Sequence, residues 1–217
     1  MKREYSEMPP SMADMQKWGF NWADYVTAIP APLFLVTTYK SNGQPNASLC
    51  SWACFNGYEN GFYAILSRVH KSGHLYKTIH ETNEAVLNFP TADMYGKCLD
   101  TIANNGFDVD EIAVSGFTAE PAAIVNAPRI KECFLNIECR FLWEREIKEG
   151  DEYVLMCLEA VNIAMEEENL DETKKGRFGE TGYAYNVRRV VNPESIDNRQ
   201  SCVAVLNVIG GENADSK

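Results

Sequence analysis

Strand-length apolar segments that alternate with short glycine- and asparagine-containing turns dominate the first third of this sequence. Residues 33–39 read LFLVTTY, residues 46–55 read NASLCSWACF and residues 62–67 read FYAILS. The turn signals Asn42-Gly43 and NGYENG lie between them. Parallel neighbours would need a crossover of a dozen or more residues, which these short connections exclude. The pattern therefore predicts consecutive antiparallel strands joined by hairpins.

The rest of the chain adds helices and further strands. Helices are predicted where apolar residues recur at helical spacing before a stop signal, at residues 11–26, from near 71–73, at 92–104 and in the short segment before Gly116. Further strands are predicted at residues 84–90 and in a long hairpin formed by 134–147 and 153–165. The acidic stretch EEENLDE after this hairpin is interpreted as a solvated loop.

The chain shows no internal repeat, low-complexity tract or Ser/Pro-rich linker. Its 217 residues, 45% of them hydrophobic, are enough for one domain with a sizeable core. Five or more antiparallel strands with helices between them predict a Greek-key-type barrel of the all-β or α+β class.

Charge is distributed unevenly along the chain. The net charge of −11 argues against a nucleic-acid partner, which needs a basic footprint. Between residues 25 and 80 the only acid is Glu59, although an even spread of the 31 acids would place about eight there. All three histidines and four Lys or Arg residues lie in the same stretch. A stretch of this charge favours an anionic ligand. The alternative explanation is that apolar strands leave little room for acidic residues.

Composition also bears on location and on the thiols. No run approaches the ~18 apolar residues of a membrane span, and the first fifteen residues are too polar for a signal peptide. We therefore expect a cytoplasmic protein without membrane association. The seven cysteines contain no CxxC pair and no zinc spacing, so we expect reduced thiols that are mostly small core residues.

Two stretches carry side chains suited to a ligand. The strand that contains NASLCSW turns small polar groups to one side, where they can bind a planar ring or a polyol. Alternatively, Asn46 caps the turn while Ser48 and Ser51 face solvent. The stretch SRVHKS follows a strand and precedes a helix start, so Ser67, Arg68, Lys71, Ser72 and free backbone amides are suited to a phosphate. A solvated basic turn is the alternative.

The sequence lacks the motifs of several other kinds of site, namely dinucleotide, P-loop, metal and hydrolase sites. Without GxGxxG or GxxxxGK[ST], a mononucleotide phosphate suits the basic stretch better than a dinucleotide. His70 and His74 have the spacing of metal ligands, yet Gly73 lies between them and no third ligand follows, so we expect no metal. The absence of a GxSxG elbow makes hydrolase chemistry a weak option.

Six segments taken in order resemble the flavin reductase-like family, whose members share the FMN-binding split barrel and include the flavoredoxins. They read PAPLFLVTT, NGQPNASLCSW, LSRVHKS, EAVLNF, DEIAVSGFT and APRIKECFLNIEC. The resemblance covers roughly residues 28–190, which leaves residues 1–27 as an N-terminal helical arm and 191–217 as a C-terminal tail. It implies an FMN-binding split β-barrel with peripheral helices, assembled as a homodimer with FMN near the subunit interface.

The same resemblance implies roles for individual residues. The residues implied to contact the cofactor are Asn46, Ala47, Ser48, Cys50, Ser51, Trp52, Ser67, Arg68, Lys71, Ser72, Lys97 and Phe178. Asn46 and Trp52 would contact the flavin, with Ser48, Cys50 and Ser51 along its ring and ribityl chain. Ser67, Arg68 and Ser72 would hold the phosphate, Lys97 would add a second positive contact, and Phe178 would approach from a later loop. Asn136 stands where flavoredoxin-type members often carry His, which argues against a proton relay there.

The activity implied by the resemblance is oxidoreduction. A nicotinamide cofactor, NADH or NADPH, would pass a hydride to the flavin, or electrons would pass to or from a protein partner as in a flavoredoxin. A flavin-binding module without redox turnover is a third alternative. Because the flavin ring performs the chemistry, we assign no acid, base or nucleophile to the chain. No sequence fingerprint separates NADH from NADPH.

Overall fold

Antiparallel strands account for most of the regular secondary structure. The computed structural model describes residues 1–10, 21–173, 182–188 and 201–206. Its strands are β1 Ala31–Pro32, β2 Phe34–Tyr39, β3 Pro45–Cys50, β4 Ala53–Tyr58, β5 Gly61–His70, β6 Glu84–Phe89, β7 Ala119–Pro121, β8 Pro128–Ile130, β9 Leu135–Glu146, β10 Tyr153–Met165, β11 Ala184–Arg188 and β12 Ser201–Val205. Its helices are α1 Trp22–Thr27, α2 His74–Thr82, α3 Tyr95–Ala103, α4 Glu111–Val114 and α5 Glu167–Leu170.

Seven of these strands form one sheet that curls into a barrel. The strand order is β3-β2-β6-β9-β10-β5-β4, so β3 and β4 are the two edges. In a flat sheet, six spacings of about 4.8 Å would separate these edges by about 29 Å. Only Ser51 and Trp52 connect them, and a link of two residues spans at most about 10 Å. The sheet must therefore bend until its edges meet, which confirms the predicted antiparallel barrel.

Two smaller sheets lie beside the barrel. The first has the order β1-β11-β12, and the second pairs β7 with β8. Strand β12 falls within residues 191–217, the segment expected to be a C-terminal tail. Its residues pair in register with β11. Within the described residues, no helix is long and apolar enough to cross a membrane.

The two faces of the strands bury different clusters. On β2, Phe34 and Val36 point into the barrel, where Leu87 and Met156 from other strands are also fully buried. The intervening Leu35 joins a second cluster outside the barrel, with Cys98 of α3 and Ile112 of α4. Strand β2 is therefore buried on both faces, which explains its almost continuous apolar sequence.

Helix α2 is anchored in the barrel core. Leu75 and Ile79 belong to the interior cluster. The hydroxyls of Thr78 and Thr38 lie 2.7 Å apart, which ties the helix to β2 through a buried hydrogen bond. The predicted start near residues 71–73 is confirmed within one residue, because Gly73 is the N-cap. This anchoring fixes the N-terminus of α2 against the strands that form the candidate site.

Several predicted boundaries need correction. The segment 46–55, predicted as one strand, is two strands that are interrupted at Ser51–Trp52, where the chain passes from one sheet edge to the other. The strand predicted at 62–67 extends to His70. Of the helix predicted at 11–26, the described residues contain α1, which begins after the N-cap Asn21, whose side chain accepts a hydrogen bond from the Ala23 N–H at 2.8 Å. The rest of that predicted helix lies outside the described residues.

Candidate functional site

A cavity of about 210 Å³ lies where the β3–β4 link, the end of β5 and the start of α2 meet. It is lined by six of the residues singled out in the sequence, namely Ser48, Cys50, Ser51, Trp52, Ser67 and Arg68. These residues come from the two stretches NASLCSW and SRVHKS, which the fold brings onto one wall. His70, Gly73 and His74 complete the side formed by β5 and α2.

The break between β3 and β4 shapes the first wall. After β3 the chain leaves the ladder at Ser51–Trp52, and the Ser67 N–H donates to the Trp52 carbonyl at 2.8 Å. The Asn186 amide of β11 donates to the Ser51 hydroxyl at 3.2 Å. The link is thus held by both neighbouring sheets, which positions the Trp52 side chain at the cavity.

A β-bulge in β5 presents Arg68. In the pairing with β10, Ser67 and Arg68 together oppose the single residue Leu155. Arg68 has φ = +58°, a left-handed conformation that is uncommon for a residue with a Cβ. Its guanidinium carbon lies 4.9 Å from the Trp52 ring centroid and 5.2 Å from that of Tyr153. The bulge and the two aromatic rings therefore fix the direction of the positive charge.

The N-terminus of α2 also borders the cavity. Gly73, the N-cap, has an extended backbone and no side chain to cap the helix. A Cβ at this position would lie 3.2 Å from the His70 carbonyl oxygen, so a larger residue would crowd the turn. The first N–H groups of a helix lack intrahelical acceptors and carry partial positive charge. This end of α2 is therefore suited to an anion.

The electrostatic character of the cavity is neutral to positive. None of the cavity-lining residues that the structure describes is Asp or Glu, whereas Arg68 contributes a positive charge. This agrees with the scarcity of acids between residues 25 and 80. Burial raises the pKa of the Cys50 thiol to about 12, so this thiol is a poor nucleophile at neutral pH.

Asn46 and Ala47 do not line the cavity, so the cofactor contacts expected of them stay predictions. Asn46 is fully buried, and its amide nitrogen donates to the Ser48 hydroxyl at 3.1 Å. Its amide oxygen is buried without a hydrogen-bond partner. The Ala47 side chain faces the outer cluster, and its N–H donates to Glu111 Oε2 at 2.8 Å. Asn46 thus orients Ser48, whereas Ala47 connects β3 to α4.

Three further predicted residues are engaged elsewhere. The Lys71 ammonium pairs with Glu146 of β9, and this partner raises the pKa of Lys71. The Ser72 hydroxyl lies 2.8 Å from His70 Nδ1. Lys97 donates to the Gly116 carbonyl at 2.8 Å.

The cofactor contacts expected of these three residues stay predictions, because none of the three lines the cavity. Phe178 lies outside the described residues.

Asn136 belongs to a buried amide network away from the cavity. Its Nδ2 donates to Asn88 Oδ1 at 2.9 Å and to the Ile130 carbonyl at 3.2 Å. Asn88 in turn donates to the Thr37 hydroxyl at 2.9 Å. This network connects β2, β6, β8 and β9, so Asn136 has a structural role.

Two residues beside the site, Tyr153 and Glu111, were not predicted from the sequence. Tyr153 reaches Arg68 only because the β5–β10 register places it opposite His70. Glu111 lies 3.7 Å from His74 through the packing of α4 against β3. Both positions depend on contacts between residues more than 35 apart in sequence, for which local patterns carry no signal.

A second cavity of about 220 Å³ adjoins the other side of the β3–β4 link. Ser51 and Trp52 line both cavities. Asp24, Ile29 and Asn186 contribute to the second one. Each cavity is smaller than the 300–1,000 Å³ typical of sites that enclose a whole small-molecule ligand. Either cavity can therefore hold only part of a nucleotide.

Comparison with known proteins identifies the family. The model of the flavin reductase like domain matches residues 26–190, about three quarters of the chain. This chain belongs to the flavin reductase-like family. An uncharacterized protein of Methanothermobacter thermautotrophicus is 27% identical over 142 residues, which cover 64% of this chain and 66% of that relative. The match thus spans just under two thirds of the relative's length.

Solved structures share the fold of this flavin reductase-like chain. Component B of nitrilotriacetate monooxygenase from Bacillus cereus superposes with a TM-score of 0.74 at 15% identity, covering 98% of this chain and 100% of that one. Flavoredoxin of Desulfovibrio vulgaris (Miyazaki F) gives 0.66 at 18% identity, covering 87% and 93%. These similarities confirm the split-barrel architecture predicted from the sequence.

The residues of the cavity fit part of the flavin that this family binds. Arg68, the Ser67 hydroxyl and the free N–H groups of α2 are donors of the kind that phosphate accepts. Trp52 and Cys50 offer apolar surface, and Ser48 and Ser51 offer hydroxyls for a polyol chain. The donor set therefore suits a phosphorylated flavin.

Proposed function

We propose that this protein is an FMN-dependent oxidoreductase that accepts a hydride from NADH or NADPH. The observation that carries the proposal is the cavity without acidic side chains, where the Arg68 bulge, the N-terminus of α2 and Trp52 converge. When bound, the isoalloxazine ring would supply the redox chemistry. Ser67, Arg68 and the first N–H groups of α2 would bind the phosphate, with the ribityl chain along Ser48 and Ser51.

Purified protein tests cofactor binding directly. We expect a yellow preparation that releases FMN on denaturation, or an apoprotein that binds FMN in a fluorescence titration. Titration with FMN, FAD and riboflavin ranks the three flavins and separates a mononucleotide site from a dinucleotide site. A preparation that binds none of them would contradict the proposal.

The phosphate contact is tested with a pair of cation variants. Arg68→Ala should weaken FMN binding by ~1.5 to 3 kcal/mol through loss of a charge-assisted hydrogen bond, and should affect riboflavin much less. Lys77→Ala is the matched control, because Lys77 is an exposed residue of α2 that does not line the cavity. Equal losses in both variants would place the phosphate outside the cavity.

The redox partner is tested by stopped-flow reduction. Fast flavin reduction by NADH or NADPH supports the proposed activity. Slow flavin reduction by both nucleotides, together with rapid electron transfer from a reduced protein donor, would instead support an electron carrier of the flavoredoxin type. A bound flavin that resists every donor would indicate a binding module without turnover.

A homodimer is part of the same proposal. Each of the two cavities is too small to enclose FMN, and the resemblance implies a flavin near a subunit interface. Light scattering coupled to gel filtration should therefore give twice the 24.4 kDa chain mass. A monomer that binds FMN tightly would show that one chain suffices. Cytoplasmic location stays a prediction.

A further inference from the structure

His74 lies between the cavity and the buried ion pair of Lys40 and Glu111. The proposed phosphate contacts do not involve this ion pair. His74 is the first residue of α2 and lines the cavity. Its Nδ1 is buried without a hydrogen-bond partner and lies 3.7 Å from Glu111 Oε1. The Phe107 ring meets the imidazole edge-on, with centroids 6.0 Å apart. The side chain therefore has one nitrogen against a carboxylate while its residue borders the cavity.

Glu111 is held in place from two directions. Its Oε1 lies 2.8 Å from the Lys40 ammonium, and its Oε2 accepts the Ala47 N–H at 2.8 Å. Lys40 also donates to the carbonyls of Gly106 and Val109, at 2.7 and 2.8 Å. Both charged side chains are at most 1% exposed. The carboxylate that faces His74 is thus fixed by Lys40 and Ala47 and shielded from water.

The position of Glu111 determines which imidazole nitrogen keeps its proton. A lone pair on Nδ1 would face a negative oxygen, whereas an N–H on Nδ1 points a positive hydrogen toward it. The neutral form of His74 therefore carries its proton on Nδ1. Nε2 is left as the nitrogen that gains or loses a proton.

The charged groups around His74 come from four elements. Arg68 and His70 of β5 line the same cavity, and the N-terminus of α2 adds partial positive charge. Glu111 of α4 and Lys40, directly after β2, form the buried pair behind it. A phosphate dianion in this cavity would favour a second proton on the imidazole, because the protonated ring adds a positive donor beside it.

We propose that His74 takes up a proton at Nε2 when the phosphate of a flavin nucleotide binds in the cavity. The inference rests on the proposed function, since it requires a flavin phosphate at this site. No bond between heavy atoms forms or breaks. The proton comes from the buffer, because a phosphate monoester is mostly dianionic above its second pKa of about 6. Glu111 acts as the positioning residue.

Calorimetric titration in two buffers with different ionisation enthalpies measures this proton. At pH 7.5, FMN binding should take up a positive fraction of a proton, at most about one, whereas riboflavin binding should take up none. His74→Gln should abolish the uptake and weaken FMN binding about tenfold. His80→Gln is the matched control, because His80 lies outside the cavity and pairs with Glu144 at 2.8 Å. This control should leave both quantities unchanged.

Nitrogen NMR of the wild-type protein without flavin shows which imidazole nitrogen of His74 carries the proton. Only three histidines are present, so the His74 ring signals can be assigned by comparison with His74→Gln. Neutral His74 should show its proton on Nδ1, and a proton on Nε2 would overturn the inference.

FMN binding with the same proton uptake in His74→Gln would overturn the inference alone and leave the proposed function standing. Failure of the wild-type protein to bind any flavin would overturn both.

Discussion

At the scale of single residues, Arg68 shows how backbone conformation and function are connected. Its left-handed φ of +58° places two successive β5 residues opposite one residue of β10. The conformation is unfavourable for any residue with a Cβ, and such strain concentrates at binding sites. Contacts of the guanidinium with Trp52 and Tyr153 offset part of this strain.

Two substitutions separate the backbone from the side chain at this position. Both Arg68→Gly and Arg68→Ala remove the guanidinium, but only glycine adopts φ = +58° without strain. We therefore expect the glycine variant to be more stable than the alanine variant by about 1 kcal/mol. Urea denaturation followed by tryptophan fluorescence measures the difference. Equal stabilities would mean that the bulge relaxes once the arginine is lost.

Glu138 provides a pH-dependent contribution to stability. Burial alone would raise its pKa, but hydrogen bonds from the Ala123 N–H, Arg129, Asn162 and the Ile124 N–H lower it to about 2. Because the pKa in the folded state lies below the ordinary value of 4.5, this stabilisation is present above about pH 4.5 and disappears as the pH falls to about 2. The shift corresponds to about 3 kcal/mol.

Glu138→Gln tests this contribution. The stability difference from wild type should be largest above pH 5 and should shrink steadily toward pH 2, as measured by urea denaturation at each pH. Glu120→Gln is the control, because this half-exposed carboxylate lies 3.7 Å from the same arginine, Arg129. A difference that does not change with pH would show that Glu138 titrates normally in the folded protein.

At the scale of secondary-structure elements, buried polar contacts join the barrel to its peripheral helices. The Lys40–Glu111 pair connects the end of β2 to α4, and Glu111 also accepts the N–H of Ala47 in β3. Thr38 and Thr78 connect β2 to α2. Buried ion pairs do not stabilise a fold strongly, but loss of one partner leaves an uncompensated charge. These contacts hold α2 and α4 in register with the cavity.

Removal of one partner should therefore be more harmful than removal of both. Lys40→Met should lower the free energy of unfolding by about 3 to 5 kcal/mol, and the double variant Lys40→Met/Glu111→Met should recover much of this loss. Lys71→Met serves as control, because its pair with Glu146 is solvent-exposed and should contribute little. A double variant less stable than Lys40→Met would mean that the bond to Ala47 dominates.

At the scale of the whole molecule, the exposure of the cysteine side chains shows which parts of the core are shielded from solvent. All seven cysteines are free, and Cys98, Cys133, Cys139 and Cys157 are buried. Cys54 on the edge strand β4 is exposed. The core position expected from the sequence is thus confirmed for these four, and the reduced state stays a prediction. Burial raises the pKa of Cys98 and of Cys139 to about 12, which lowers their reactivity further.

Thiol labelling should follow this order. With a disulfide reagent at pH 8, the native protein should react first at Cys54, while the four buried cysteines should react only after denaturation. Mass spectrometry of labelled peptides identifies each site. Rapid labelling of Cys98 or Cys139 in the native protein would indicate that the barrel or the α3 contact opens readily.

The sequence alone predicted the main hairpins and helices, because local signals are sufficient for them. Apolar segments between Asn- and Gly-containing turns predicted the hairpins, and the scarcity of acids between residues 25 and 80 agrees with the absence of Asp and Glu from the described lining of the cavity. The ordered family segments then led to the correct barrel. Only the tertiary structure decided which side chains share the site. The β5 bulge, the break at Ser51–Trp52 and the approach of Glu111 to His74 arise from pairings between distant strands and helices. No local pattern encodes such pairings, since each depends on how the sheet closes.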